Sequence, residues 1–235
     1  MLPYNEIWKH IERVHESFGF ELNTRQTHDP TDDDFMGYIT EMQIDFTFQT
    51  LEYIEKLVEI MDKYDSVDFT FRYKDPLSMA DKLKRQTISK PLNKVINDAL
   101  GLRFIINCDT TRLQDIALEL KEAYPIKSGN CRLVDQTTGK KNDDGYKGIH
   151  LYSKFDNHTF PIEIQLWTRV HALLNEYLHD NIYKTGYTNG ELDEHALYLR
   201  NWLEEVPVLP DDFKVKSYVD FLYERKYSRE GDRDE

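Results

Sequence analysis

Two stripes of apolar residues at helical spacing occur in the first quarter of the chain. The first stripe consists of Ile7, Ile11, Val14 and Phe18. The second follows an acidic loop at residues 21–35 and consists of Leu51, Ile54, Val58 and Met61. Positions three or four apart lie on one face of a helix, so each stripe predicts a helix that packs its apolar face against a core.

The pattern changes to the two-residue period of a strand at Val67. Apolar and polar side chains alternate over residues 67–73, which predicts a half-buried strand with Arg72 on its polar face. The continuous apolar run at residues 102–108, between Gly101 and Asp109, predicts a central strand buried on both faces.

Two further strands are predicted at residues 149–155 and 160–166. In the second of these, alternate residues share an apolar face, while Glu163 and Gln165 point the other way.

Helices are predicted between and after these strands. A short basic helix begins at Ser78, with Asp81 three residues later in the manner of a capping box. Another begins at Asp109 or Thr110. Further helical patterns occur at residues 167–183, 192–203 and 215–223.

This order of elements predicts one α/β domain with helical attachments. We assign residues 1–66 to an N-terminal helical attachment, 67–184 to the core and 185–235 to a C-terminal helical tail.

Composition limits the class of protein. The chain has 235 residues, 40% of them hydrophobic, and a net charge of −13, which disfavours nucleic-acid binding over the whole surface. No apolar run approaches the roughly 18–20 residues of a membrane span, and no secretory signal is evident. Cys108 and Cys131 lack the spacing of a disulfide framework or zinc site. We therefore expect a cytoplasmic protein with no membrane partner.

The charge is unevenly distributed. Between Arg72 and Arg103 there are eight basic and three acidic residues, a net charge of +5, so the rest of the chain carries −18. Lysine and arginine side chains neutralise phosphate oxygens, and a helix N-terminus offers free N–H groups. Ser78 and Lys82, four residues apart, share one face of the basic helix. The segment predicts a phosphate-binding site, with a solvated lysine face as the alternative.

Two carboxylates occupy unusual positions. Asp98 precedes the predicted central strand, and Glu163 lies within an otherwise apolar one. Carboxylates that converge from neighbouring strands can bind Mg²⁺ beside phosphate or accept a proton from a hydroxyl group, although a lone strand carboxylate can also face water. The sequence lacks GxxxxGK[ST], GxGxxG, GxSxG and HExxH motifs, and its histidines, including His150, His171 and His179, show no metal-ligand pattern.

Five segments in order carry a family resemblance. They are Arg72-Tyr-Lys74 with Ser78 and Lys82, Asp98-Ala-Leu-Gly-Leu-Arg103, Gly145-Tyr146-Lys-Gly-Ile-His150, Glu163-Ile-Gln165, and His179 with Tyr183-Lys184. Together they resemble the RelA/SpoT synthetase domain, in the form of a small single-domain member of this pyrophosphokinase family. The resemblance covers residues 67–184.

The resemblance implies an α+β, nucleotidyltransferase-like fold, a mixed sheet flanked by helices. It implies transfer of the β,γ-pyrophosphate of ATP to a ribose 3′-hydroxyl, with release of AMP. Arg72 and Arg103 would sandwich the adenine.

The other implied roles follow the same motifs. The triphosphate would contact Lys74, Ser78 and Lys82. Asp98 would bind Mg²⁺, and Glu163 would share the metal or take the proton of the attacking hydroxyl. On the acceptor side, Tyr146 would stack on the base, His150 would support its loop, and Gln165 would contact the acceptor.

Departures from the family pattern bear on the acceptor. Alarmone synthetases usually carry Arg two residues after the glutamine of EIQ, where this chain has Trp167, and Ser or a similar residue where Gly148 stands. From this sequence we expect no hydrolase region of the HD type before the synthetase segment. FPIEIQL and GYKGIH resemble a toxic branch, usually paired with an antitoxin, that pyrophosphorylates the 3′-terminal CCA adenosine of tRNA and blocks translation.

We therefore favour the tRNA 3′ end as the acceptor and expect an antitoxin. The alternative is GDP or GTP, giving a guanosine alarmone, and the low positive charge outside the Arg72–Arg103 segment favours it. A remote alternative is an inactive nucleotide-binding or partner-binding module, which would lack Asp98, Glu163 or Tyr146. All three are present.

Overall fold

The fold was analysed in a computed structural model that describes residues 2–86, 90–125, 129–138 and 145–178, together with residues 194, 197, 198 and 201. Residues 194, 197, 198 and 201 are helical, in agreement with the helix predicted at 192–203. The rest of that segment, the predicted helix at 215–223, and the residues His179, Tyr183 and Lys184 lie outside the described residues. The division into core and attachments stays a prediction.

A mixed five-stranded sheet forms the centre of the fold, as expected. Its strands are β1 (Val67–Tyr73), β2 (Leu100–Ile106), β3 (Asn130–Asp135), β4 (Ile149–Lys154) and β5 (Ile162–Thr168). The spatial order is β1-β2-β5-β4-β3. Only the β2–β5 pair is parallel, and the other neighbouring pairs are antiparallel. The α+β class with a mixed sheet is thus confirmed.

The helices of the described chain pack around this sheet. They are α1 (Tyr4–Ser17), α2 (Asp33–Met61), α3 (Pro76–Lys84), α4 (Leu92–Val95), α5 (Thr110–Glu122) and α6 (Arg169–Leu178). Both predicted N-terminal helices are present, and the predicted stripe of α1 is buried. On α2, Ile54 and Met61 are buried as predicted, whereas Leu51 and Val58 lie at the edge of the buried face. None of these helices could cross a bilayer.

Several sequence predictions differ from the observed elements. The strand predicted at 160–166 is β5, and Trp167, predicted to begin the next helix, lies on this strand, with α6 starting at Arg169. Strand β2 begins at Leu100 rather than Leu102, and Arg103 is only half-buried because its side of the strand faces a cavity. Strand β3 was not predicted, since its NCRLVD segment has few apolar residues and lies at the sheet edge. Helix α3 begins at Pro76, with the Asp75 carboxylate capping it by accepting from the Ser78 N–H at 3.1 Å. The capping role predicted for Ser78 is therefore wrong.

Helix α2 sets the position of two strand ends. The buried Gln43 side-chain amide donates to the carbonyls of Lys74 and Ala99, each at 3.0 Å. The Lys74 N–H also donates to the Ala99 carbonyl at 2.9 Å. These bonds hold the end of β1 against the start of β2, where Lys74 and Asp98 stand.

Candidate active site

One face of the sheet carries the polar residues singled out by the sequence. Residues paired across neighbouring strands point to the same side. The register forms one row of Arg72, Gly101, Glu163 and Tyr152, and a second row of Thr70, Arg103, Gln165 and His150. The alternate residues, such as Phe104, Leu151 and Ile164, are buried in the main core. The predicted polar sides of β1 and β5 therefore meet on one face.

A cavity of about 500 Å³ opens on this face. It is lined by Thr70, Phe71, Arg72, Asp98, Gly101, Arg103, Tyr146, Glu163, Gln165, Trp167, Asn175 and Glu176. A β-carbon on Gly101 would lie 3.9 Å from the Glu163 carboxylate and 3.9 Å from the Arg72 carbonyl. Because glycine has no side chain, the space above this residue, beside Glu163, stays part of the cavity.

Asp98 is bound by two lysines. Its Oδ2 accepts from Lys74 Nζ and its Oδ1 from Lys82 Nζ, both at 2.9 Å. Burial acts to raise the pKa of Asp98, but the two ammonium groups outweigh it, so the pKa lies below its usual range. The trio carries a net positive charge at the mouth of the predicted phosphate site.

Ser78 stands apart from this trio. It lies in the first turn of α3, where its side chain is exposed, and neither it nor the two lysines line the cavity directly. Lys82 lies one turn further along α3 and also donates to Asn97 Oδ1 at 2.9 Å. Asp98 therefore links the lysines to the cavity, and the phosphate role of Ser78 stays a prediction.

Glu163 is buried and accepts hydrogen bonds at both oxygens. His150 Nδ1 lies 2.9 Å from Oε1, and Gln165 Nε2 donates to Oε2 at 2.9 Å. Burial acts to raise the pKa of this carboxyl, as does the charge of Asp98, but the hydrogen bond and charge of His150 prevail and the pKa lies below its ordinary value. Glu163 is thus held as a carboxylate beside the cavity.

The residues predicted for the acceptor side adjoin Glu163. His150 Nε2 lies 2.5 Å from the Tyr146 hydroxyl, and Trp167 Nε1 donates to the same hydroxyl at 2.9 Å. Tyr152 stacks on His150, and burial, followed by the charge of Glu163, raises its pKa. Tyr146 and His150 therefore lie together, as predicted, and are joined to Glu163.

Arg103 and Gln165 complete a closed ring of contacts. Gln165 Oε1 accepts from Arg103 Nε at 3.0 Å, and the Arg103 guanidinium carbon lies 3.9 Å from the centre of the Trp167 ring. The ring of contacts passes through Glu163, His150, Tyr146, Trp167, Arg103 and Gln165.

The side chain of Asn175 holds residues 145–150, the predicted acceptor loop, through contacts that the sequence did not predict. Asn175 on α6 accepts from the Lys147 N–H at 3.0 Å and donates to the Lys147 carbonyl at 2.5 Å. The pattern of α6 shows only a polar residue at this position, and the contact spans 28 residues of sequence. Asn175 thus fixes the backbone beside Tyr146.

The donor set suits a magnesium ion that arrives with phosphates. Within the described ranges, no cluster of three or more acidic, histidine or cysteine side chains could hold a metal. Mg²⁺ is commonly bound by only one or two carboxylates together with substrate phosphates and water. Asp98 and Glu163, both lining the cavity, provide such a pair.

Comparison with known proteins identifies the family. The model for the region found in RelA/SpoT proteins matches residues 71–188, half of the chain. No curated protein sequence matches.

Several solved structures are similar to the chain. The small alarmone synthetase 2 from Bacillus subtilis is 20% identical with a TM-score of 0.50, over 74% of this chain and 95% of that one. The small alarmone synthetase 1 from the same organism is 17% identical with a TM-score of 0.48, over 86% and 99%. A GTP pyrophosphokinase family protein from Streptococcus pneumoniae is 18% identical with a TM-score of 0.47, over 82% and 93%.

The fold agrees with that of the first of these structures, and the family match spans the strands and helices that build the cavity. The chain therefore belongs to the RelA/SpoT family, as a pyrophosphokinase that transfers pyrophosphate from ATP.

Proposed function

We propose that this enzyme transfers the β,γ-pyrophosphate of ATP to the 3′-hydroxyl of the CCA-terminal adenosine of tRNA and thereby inhibits translation. The acceptor oxygen attacks the β-phosphorus and forms a new O–P bond. The bond from the β-phosphorus to the α,β-bridging oxygen breaks, and AMP leaves with that oxygen. The proton of the 3′-hydroxyl passes to Glu163.

The adenine of ATP binds between Arg72 and Arg103. Arg103 pairs with Thr70 in the register, so Arg72 is its diagonal neighbour on the next strand. Diagonal neighbours in a sheet have Cα atoms about 7–8 Å apart, close enough for two long arginine side chains to reach opposite sides of a flat ring. This spacing supports an adenine sandwich.

The triphosphate binds at the lysine pair and the start of α3. Lys74 and Lys82 neutralise Asp98 in the absence of nucleotide, and their ammonium groups then turn to the phosphate oxygens, with Ser78 as a further contact in the first helical turn. Asp98 and Glu163 would hold Mg²⁺, which neutralises the phosphate charge that develops during transfer.

Glu163 serves as the proton acceptor. Its lowered pKa keeps it ionised at neutral pH, and hydrogen bonds from His150 and Gln165 fix its orientation toward the cavity. Gln165 lines the same cavity as Glu163 and would contact the acceptor there.

The acceptor assignment rests on residue 167. Next to Tyr146, which offers its ring to a base, the cavity is lined by Trp167, where alarmone synthetases usually carry arginine. A guanosine diphosphate or triphosphate needs several cations for its phosphates, whereas a tRNA terminus brings a single phosphodiester charge per linkage. An indole in place of a guanidinium therefore favours the terminal adenosine.

A second acceptor, GDP or GTP, is favoured by a different observation. The chain outside the Arg72–Arg103 segment carries −18, and a tRNA body prefers extra basic surface. A small nucleotide requires no such surface.

With the tRNA acceptor, we also expect an antitoxin that covers the ATP site or hydrolyses the product, and the neighbouring gene is the first place to look for it.

Transfer of label from γ-labelled ATP tests the acceptor. Purified enzyme is incubated with deacylated tRNA or with GDP, and we expect label on tRNA. Periodate-oxidised tRNA, which lacks the 3′-hydroxyl, should remain unlabelled, and Glu163→Gln serves as the inactive control. Label found only in guanosine tetraphosphate would overturn the tRNA assignment and support the second candidate.

A further inference from the structure

Side-chain chemistry fixes the donor in most of the hydrogen bonds around Glu163. A tryptophan indole and an arginine guanidinium only donate, and a carboxylate only accepts. His150 Nδ1 therefore donates to Glu163, and His150 Nε2 lies 2.5 Å from the Tyr146 hydroxyl. The Tyr146 oxygen accepts from Trp167 Nε1. One chain of hydrogen bonds joins Trp167 to Glu163 through Tyr146 and His150.

A second chain of hydrogen bonds reaches the same carboxylate from the other side. Arg103 Nε donates to Gln165 Oε1, and Gln165 Nε2 donates to Glu163 Oε2. The two chains begin at Trp167 and Arg103, whose side chains stack on each other. Trp167 is therefore the only residue of the ring that contacts both the residue assigned to adenine and the one assigned to the acceptor base.

We propose that Trp167 is a positioning residue that couples the two substrate sites, its indole N–H holding the Tyr146 hydroxyl and its ring face holding the Arg103 guanidinium. This inference rests on the proposed roles of Tyr146 and Arg103. It assigns two separable tasks to one side chain.

The two contacts hold different groups. The N–H bond fixes the position of the Tyr146 hydroxyl, which also lies beside His150 Nε2. The cation–π contact holds the Arg103 guanidinium over the face of the Trp167 ring, within the cavity where it would stack on adenine. Trp167 itself is buried in a small cluster with Ile105 and Ala172, so its ring has little freedom to turn.

Substitutions at residue 167 separate the two tasks. Trp167→Phe keeps an aromatic face but lacks the N–H donor, and Trp167→Leu lacks both. We expect Trp167→Phe to raise the acceptor KM about fivefold, the effect of one net hydrogen bond, with little change in the Kd of a non-hydrolysable ATP analogue. We expect Trp167→Leu to weaken analogue binding as well, by about fivefold.

A double-mutant cycle tests the path through Tyr146. In a Tyr146→Phe background, the hydroxyl is absent and Trp167→Phe should cost nothing further. An undiminished effect of Trp167→Phe in that background would overturn the proposal, as would equal losses of analogue binding in Trp167→Phe and Trp167→Leu. Should Trp167→Leu fail to fold in a thermal melt, Trp167→Met, which retains more volume but also lacks an aromatic face, tests the same contact.

A matched control lies far from the cavity. Trp8 is buried and its indole N–H donates to the Leu120 carbonyl at 2.7 Å. Trp8→Phe removes a comparable hydrogen bond and should change neither the acceptor KM nor analogue binding. Calorimetry with the ATP analogue needs no acceptor, so the Arg103 half of the proposal is decided even if neither tRNA nor GDP is the acceptor.

Discussion

The indole ring of Trp167 occupies the space that a β-carbon on Gly148 would need. Such a carbon would lie 2.6 Å from both Cδ1 and Nε1 of the ring and 3.0 Å from the Tyr146 hydroxyl. Both residues differ from those usual in the family, and in the structure the two differences depend on each other. A large ring at residue 167 requires the absence of a side chain at residue 148.

Gly148→Ala should therefore destabilise the protein. The added methyl group forces the ring away from Tyr146, and overpacking of this kind costs about 1–3 kcal/mol. Urea denaturation measures the change. Gly37, in α2, has nothing within 4 Å of its β-carbon position, so Gly37→Ala should instead stabilise the protein slightly. Equal stability of Gly148→Ala and the wild type would show that the ring moves without cost.

Asn175→Ala should loosen the acceptor loop. It removes both side-chain bonds to the Lys147 backbone, at a cost of about 1–3 kcal/mol. Hydrogen exchange of a peptide containing residues 145–151 should become faster. Leu118→Ala, at an exposed position of α5, is the control and should leave this exchange unchanged. Unaltered exchange in Asn175→Ala would mean that other contacts hold the loop.

Much of the site could be predicted from local pattern. The two-residue period places Arg72 and Glu163 on the polar sides of their strands, and the register then brings these sides together. Asp98 was correctly located just before the central strand, because the apolar run that follows it is long and uninterrupted.

The contacts between these residues could not be predicted in the same way. Lys74 and Lys82 are 24 and 16 residues from Asp98, and no spacing rule indicates that both bind its carboxylate. The hydrogen bonds of Asn175 likewise join it to Lys147, 28 residues earlier in the sequence. Asp75 was missed as the cap of α3 because Ser78 offers a competing signal three residues later, whereas Pro76 at the first helical position marks the true start.

His15 should make the protein less stable at acid pH. Its ring is buried, and this burial lowers its pKa to about 4 from the ordinary value of 6.5. The unfolded chain binds the proton more tightly, so stability is full above about pH 6.5 and falls as the pH drops toward 4. The shift corresponds to about 3 kcal/mol.

Denaturation between pH 7 and 4 checks this dependence. His15→Leu should reduce the fall in stability over this range. Part of the fall should remain, because burial also lowers the pKa of His171 to about 4. His158 is exposed, and His158→Gln should keep the wild-type profile. An identical slope in His15→Leu and the wild type would exclude His15 as the source.

Asp98→Asn should abolish transfer while it strengthens metal-free nucleotide binding. Without the carboxylate, Mg²⁺ loses a ligand, and we expect the rate to fall by at least about 100-fold. The same change frees Lys74 and Lys82 from their counter-charge, so an ATP analogue without Mg²⁺ should bind more tightly than to the wild type. Circular dichroism should show a retained fold. Asp81→Asn, an exposed carboxylate on α3, is the matched control and should change neither measurement. Full transfer activity in Asp98→Asn would refute the metal assignment, and weaker metal-free binding would refute the competition between Asp98 and the phosphates for the two lysines.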